Sequence, residues 1–223
     1  MHKAIIYQML PRLWGNDRIK PKKNGGLSDN GTGKFSDIDN ASLEYIKWLG
    51  CSHVWYTGVI RHSTQASEDG CTPSHPQFVK GKAGSPYAIC DYYDVNAYLA
   101  DNAGDRMLEF EQLIKRTHDA GLKVIIDFVP NHVARDYGKV DMTPGHPVLG
   151  AEDDRSVHWR EENDFIYYPG EALRLPTESP KGMEPYYEMP AMATGNNCYT
   201  PAPGINDWFE TVKINYCDHH TAT

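Results

Sequence analysis

The feature that most constrains this chain is an alternation over its first 130 residues: apolar run, helical stripe, apolar run, helical stripe, apolar run, with a glycine closing each stripe. Residues 4–10 are almost continuously apolar and are stopped by Pro11, the pattern of a strand buried on both faces in a parallel sheet. Asp39 or Asn40 then caps a helix whose apolar positions Leu43, Ile46 and Leu49 recur at helical spacing, and Gly50 ends it. Residues 53–57 form a second strand. Asp105 caps a second helix carrying Met107, Phe110, Ile114 and Thr117 on one stripe, closed by Gly121, and residues 123–129 form the third strand. Between them, residues 61–84 hold Pro73, Pro76 and several Ser and Gly, too irregular for a regular element. Strand, helix, strand, helix, strand implies right-handed crossovers and a parallel sheet covered by helices.

Two architectures satisfy that order. An open doubly wound sheet carries a glycine-rich phosphate loop after its first strand, but this chain has Pro11-Arg12-Leu13-Trp14 there. The nearest phosphate-loop lookalike, Gly31-Thr32-Gly33-Lys34-Phe35, has Ser28 where the earlier glycine belongs and no Ser/Thr after the lysine. A nucleotide site is therefore not expected, and a barrel remains. At 223 residues the chain is somewhat short of the ~250 residues of a complete (β/α)8 barrel.

Composition removes other classes. With 40% hydrophobic and 23% charged residues the chain is ordinary globular protein. Its apolar runs fall far below the ~18 residues of a membrane span, and the start lacks a secretory h-region, so no membrane partner and a cytoplasmic location are expected. Five cysteines, Cys51, Cys71, Cys90, Cys198 and Cys217, are an odd number without CxxC spacing. They read as reduced structural thiols rather than a disulfide framework or zinc ribbon. The net charge is −8, and the basic cluster Lys20, Lys22, Lys23 sits in a Gly- and Asn-rich stretch, so no nucleic-acid partner is expected.

Residues 133–223 differ in kind. Seven prolines lie between Pro144 and Pro190, two more at Pro201 and Pro203, and Trp159, Phe165, Tyr167, Tyr168, Tyr186, Tyr187 and Tyr199 are scattered among them. No long amphipathic helix is expected here, only a short strand where residues 211–216 alternate with period two. The paired His219 and His220 read as a frayed terminus rather than metal ligands.

The polar residues at strand ends are the candidate chemistry, because loops at the carboxyl ends of parallel strands converge on one face. Asp127, Asn131 and His132 fall together after the third apolar run. Such a group could hold a metal, orient a sugar hydroxyl, or satisfy loop backbone.

The stretch Asp127-Phe128-Val129-Pro130-Asn131-His132 is similar to the D-x-V-x-N-H region of glycoside hydrolase family 13, the α-amylase family. Other segments resemble the same family in the same order. Residues 4–12 resemble its first strand, residues 43–57 its first helix and second strand, residues 85–96 the segment with its sugar-stacking tyrosine, and residues 118–127 the approach to its third strand. The resemblance implies an α/β fold of the (β/α)8 TIM-barrel class. It places the first three βα units in residues 1–132 and an irregular inserted subdomain, returning toward strand 4, in residues 133–223.

It also implies an enzyme acting on α-1,4-glucans (starch, glycogen, maltooligosaccharides) by a retaining mechanism, as hydrolase or transglycosylase. Tyr87 would stack on the reacting sugar, His132 would donate to its hydroxyls, and Asp127 would support the floor of the site. Asn131 matches a position that in many members ligates a structural Ca²⁺, with Glu161, Glu162, Asp164 and Asp207 all eligible as further ligands. Two departures stand out. Ser85-Pro86-Tyr87 replaces the family's common His-Gly-Tyr, and Arg-x-Asp, the context of the nucleophile, occurs nowhere in the chain. The carboxylate pair that a retaining mechanism needs, about 5–5.5 Å apart, is therefore expected beyond this chain, which alone would be inactive.

Two other classes are compatible with the residues. One is a glucan-binding module using Tyr87, Trp14 and the aromatic excursion. The other is a metal-dependent hydrolase using Asp127 and His132, although no HExxH is present. The first and third strands, as open edges, would favour self-association or a partner, and the oligomeric state is left open.

Overall fold

The computed structural model describes residues 3–18, 20–67, 71–139 and 141–216; Cys217 and the His219-His220 pair lie outside the described residues. The elements in chain order are β1 (Ile6–Met9), α1 (Leu27–Asn30), α2 (Asn40–Trp48), β2 (His53–Tyr56), β3 (Ile60–His62), β4 (Ile89–Val95), α3 (Arg106–Asp119), β5 (Lys123–Ile126), β6 (His132–Ala134), β7 (Tyr167–Tyr168), β8 (Ala191–Met192) and β9 (Thr211–Lys213). They fall into two compact units. The first comprises residues 1–61, 66–72 and 91–128, the second residues 62–65, 73–90 and 129–223. The sequence reading put a single boundary at 132/133, whereas the contacts give the second unit two earlier segments.

In the first unit β1, β2 and β5 form a parallel sheet in the order β1-β2-β5, with Tyr7 opposite Val54 and Val54 opposite Val124. The alternation of the sequence is thus realised as consecutive parallel strands joined by helices. Asp39 caps α2 by accepting the Ser42 N–H at 2.8 Å. Leu43 and Ile46 of α2 and Phe110 and Leu113 of α3 are buried with Val54, Tyr56 and Leu122 in one core. Gly50 (φ +85°) and Gly121 (φ +80°) end the two helices in the left-handed region, where a side chain would be strained. Tyr56 reaches the Thr117 hydroxyl at 2.6 Å, and burial pushes its phenol up to about 12.

Several local expectations are corrected. The first strand is not buried on both faces: Ile5 and Ile6 are exposed, because β1 is a sheet edge. Asp105 makes no side-chain cap for α3. The start of that helix is tied instead by Glu109, whose carboxylate accepts the amides of Asp101 and Asn102 at 2.8 Å each. The buried stripe of α3 runs through Phe110, Leu113 and Thr117, with Met107 exposed. The stretch read as irregular begins with β3, which joins β4 in a two-stranded sheet.

The second unit has little regular structure. β6 pairs antiparallel with β9, and β7 with β8. The period-two stretch near residue 211 is indeed a strand, continued by a bridge between Phe165 and Ile214. Polar pairs replace the missing ladders. Arg135 and Glu188 are buried and meet at 2.6 Å, Arg135 Nε donates to the Phe209 carbonyl at 2.5 Å, and Glu188 also accepts the Met192 N–H at 3.0 Å. Among the described residues no helix is long and apolar enough to cross a membrane. Cys51, Cys71, Cys90 and Cys198 are not in disulfides.

Candidate functional site

Of the four residues singled out in the sequence, three are gathered in the second unit and one lies in the first. Asp127 follows β5, at the carboxyl end of the parallel sheet. Its carboxylate accepts the Trp55 indole N–H at 2.8 Å and the Gly58 amide at 3.3 Å. It ties the ends of β2 and β5 together, which is the loop-satisfying role rather than a free reactive carboxylate.

Asn131 and His132 stand where the chain enters β6. His132 lies opposite Lys213 of β9, Val133 opposite Val212 and Ala134 opposite Thr211. Only 6% of His132 is exposed. Its ring meets the Asn131 side-chain amide through Nδ1 at 3.0 Å, faces the Trp208 ring at 5.3 Å between centroids, and hydrogen-bonds to the main chain of Tyr87. Burial, aided by the Lys213 ammonium, holds the His132 pKa below the ordinary histidine value despite the opposing Tyr87 bond. The imidazole is therefore held toward its neutral form.

Tyr87 is 42% exposed, and its main chain is engaged with His132. A half-exposed aromatic side chain offers an apolar face of the kind on which a sugar ring can stack.

Gly195 closes the back of the group. A Cβ there would fall 2.5 Å from Thr211 Oγ1 and 2.7 Å from His132 Cβ, so only glycine lets its backbone pass this close. Its carbonyl accepts the Asn131 Nδ2 hydrogen at 2.7 Å. Lys213 Nζ donates to Asn131 Oδ1 at 2.6 Å. Neither Gly195 nor Lys213 was picked out from sequence. The period-two pattern around Lys213 marked a strand, but nothing in it pairs that strand with Asn131, 82 residues earlier.

A calcium ion does not fit this donor set. The one side-chain oxygen of Asn131 already accepts from an ammonium, which a dication would have to face. Three of the other eligible carboxylates serve their own loops. Asp164 accepts the Gly150 amide at 2.8 Å, Asp207 accepts Asn196 at 2.9 Å and the Gly204 amide at 2.7 Å, and Glu162 pairs with Arg160 at 2.9 Å. Among the described residues no group of three or more His, Cys, Asp or Glu side chains is placed to hold a metal.

Comparison with known proteins gives the geometry its context. The profile of the family described as "Alpha amylase, catalytic domain" matches residues 22–179. An α-glucosidase of Pediococcus pentosaceus is 26% identical over 135 residues, covering 60% of this chain and 18% of its own length. The human amino acid transporter heavy chain SLC3A1 is 27% identical over 117 residues, 52% of this chain and 14% of its own. A crystal structure of an α-amylase from Lactobacillus plantarum matches with a TM-score of 0.42 and 27% identity, over 60% of this chain and 24% of that one. This chain thus spans less than a fifth of the length of the two curated relatives named here.

Proposed function

Since the chain belongs to the α-amylase family, glycoside hydrolase family 13, we propose that it supplies part of a sugar-binding surface for α-1,4-glucans in a retaining glycoside hydrolase or transglycosylase. The family match over residues 22–179 is the observation that carries this reading. Tyr87 is the stacking platform and His132 the donor to sugar hydroxyls, shared with the Tyr87 main chain. Asp127 acts as a brace at the sheet end. No residue of this chain is assigned as nucleophile or acid/base, and no step is routed through a metal. In this reading the parallel β1-β2-β5 unit is the beginning of a (β/α)8 barrel, and the second unit is the excursion that follows its third strand.

Calorimetric titration of the chain with maltoheptaose tests the proposal. Saturable binding that is lost in Tyr87→Ala is expected, together with no release of reducing sugar from maltooligosaccharides. Absence of binding in the wild-type chain removes the sugar surface, and turnover by the purified chain removes the assignment of the carboxylates elsewhere.

A second reading, binding without catalysis, is favoured by the match to a relative named as a transporter heavy chain rather than as a glycosidase. It predicts the same titration but no gain of activity when the chain is joined to the downstream part of an active relative. The first reading predicts that activity appears.

A further inference from the structure

Lys213 faces His132 across the β6–β9 ladder, so the two side chains leave the same face of the pair. The backbone of Lys213 is fixed by its N–H to the Ala193 carbonyl at 2.9 Å, and that of Ile214 by its N–H to the Asn131 carbonyl at 3.2 Å. Its ammonium reaches Asn131 Oδ1 at 2.6 Å. Burial moves the Lys213 pKa down, with no carboxylate of the described residues opposing it. The half-buried ammonium is held by the amide oxygen.

The donors and acceptors then permit one arrangement. An ammonium has only hydrogens to give, so the Asn131 atom facing it is the carbonyl oxygen. The Gly195 carbonyl can only accept, so the atom facing it is Nδ2. The two assignments agree and exclude the flipped amide. The second Nδ2 hydrogen points at His132 Nδ1, 3.0 Å away. A nitrogen that faces a donor must present its lone pair, so the neutral ring carries its proton on Nε2. With Nδ1 accepting, the nitrogen left to donate to the Tyr87 main chain is Nε2.

We propose that Lys213 is a positioning residue: through Asn131 it sets His132 in the Nε2–H tautomer, and its ammonium occupies the amide oxygen that a divalent cation would otherwise need. The site is organised by a cation built into the chain, and its order does not depend on calcium. The tautomer assignment stands on the hydrogen-bond network alone. Its consequence, an Nε2–H shared between the Tyr87 main chain and a sugar hydroxyl, rests on the glucan reading above.

The test uses the 223-residue chain labelled with ¹⁵N in its histidine rings, with His132 assigned by its loss in His132→Gln. Long-range ¹H–¹⁵N spectra recorded without sugar should show His132 protonated at Nε2 and bare at Nδ1. Lys213→Met should move both nitrogens toward the averaged positions of exchanging tautomers, and Lys213→Arg should restore the wild-type pattern. Asn131→Asp keeps a partner for Lys213 but sets an acceptor against Nδ1, and should put a proton there. Calcium chloride should leave the wild-type His132 signals in place.

A wild-type ring protonated at Nδ1, or unchanged spectra in both Lys213→Met and Asn131→Asp, would overturn the proposal. So would stoichiometric calcium binding that shifts His132. If Lys213→Met does not fold, the wild-type and Asn131→Asp spectra still decide. Predicted spectra in a chain that ignores maltoheptaose would keep Lys213 in its role and remove only the glucan.

Discussion

In the first unit, α2 and α3 bury Leu43, Ile46, Phe110 and Leu113 around Val54 and Tyr56, and the edge strands β1 and β5 are left largely open. In the second unit, strands of two or three residues carry a buried Arg135–Glu188 pair, a buried His132 and a chain of side-chain amides and carbonyls. The first is organised by periodic apolar burial, the second by individual polar partners. Apolar burial is graded, so losing a methylene costs in proportion to the area and cavity involved. A buried polar pair behaves differently, because removing one member leaves the other desolvated and unanswered.

That contrast can be broken by mutation. Arg135→Met leaves the Glu188 carboxylate buried without its guanidinium, and should lower stability by about 3–5 kcal/mol in urea unfolding. A loss under about 1 kcal/mol would mean that the second unit does not depend on this pair. Leu113→Ala removes a fully buried side chain from the first unit and should cost about 3 kcal/mol. Hydrogen exchange read separately in the two units sharpens the comparison: protection should fall in β1, β2 and β5 with Leu113→Ala, and around β6 and β9 with Arg135→Met.

Gly195→Ala forces a methyl against Thr211 and His132, and should cost about 2 kcal/mol by overpacking while displacing the His132 ring signals. An unperturbed ring would show that the backbone has room to give. The smallest effect is expected at Trp48, which is 79% exposed on the outside of α2. Trp48→Ser should change stability by no more than about 0.5 kcal/mol. A larger loss would reveal that this face is covered in solution.

The same contrast explains what was readable from the sequence. The three parallel strands, both long helices and the glycines ending them follow from local periodicity and from the φ preferences that glycine alone tolerates. Misreadings there concern exposure: Ile5 and Ile6 look like core residues because a strand pattern does not say whether a neighbour covers it. Ile114 stands in the stripe where Leu113 belongs, because both fall within a helical repeat after Phe110 and only packing separates them. In the second unit Thr211-Val212-Lys213 betrayed itself by alternation, but its partner did not. The lysine meets an asparagine 82 residues away, and no local signal encodes such a distant amide contact. The Asp127-to-His132 motif located three of the relevant side chains by resemblance. It could not reveal that Asp127 is engaged by Trp55 and Gly58 while Asn131 and His132 are organised from β9.

The β6–β9 ladder has a further consequence for how this chain can vary. Because Ala134 and Thr211 are paired, the segment between them leaves and returns through one clamped doorway. The entropy of closing such a segment grows only with the logarithm of its length, about 0.6 kcal/mol for each doubling. Residues can therefore be inserted or deleted far out along the excursion at little energetic cost, while the doorway keeps Asn131, His132 and Lys213 in register. Loop length far out in the excursion is free to drift, while Arg135, Glu188 and Gly195 within it stay tied to their partners.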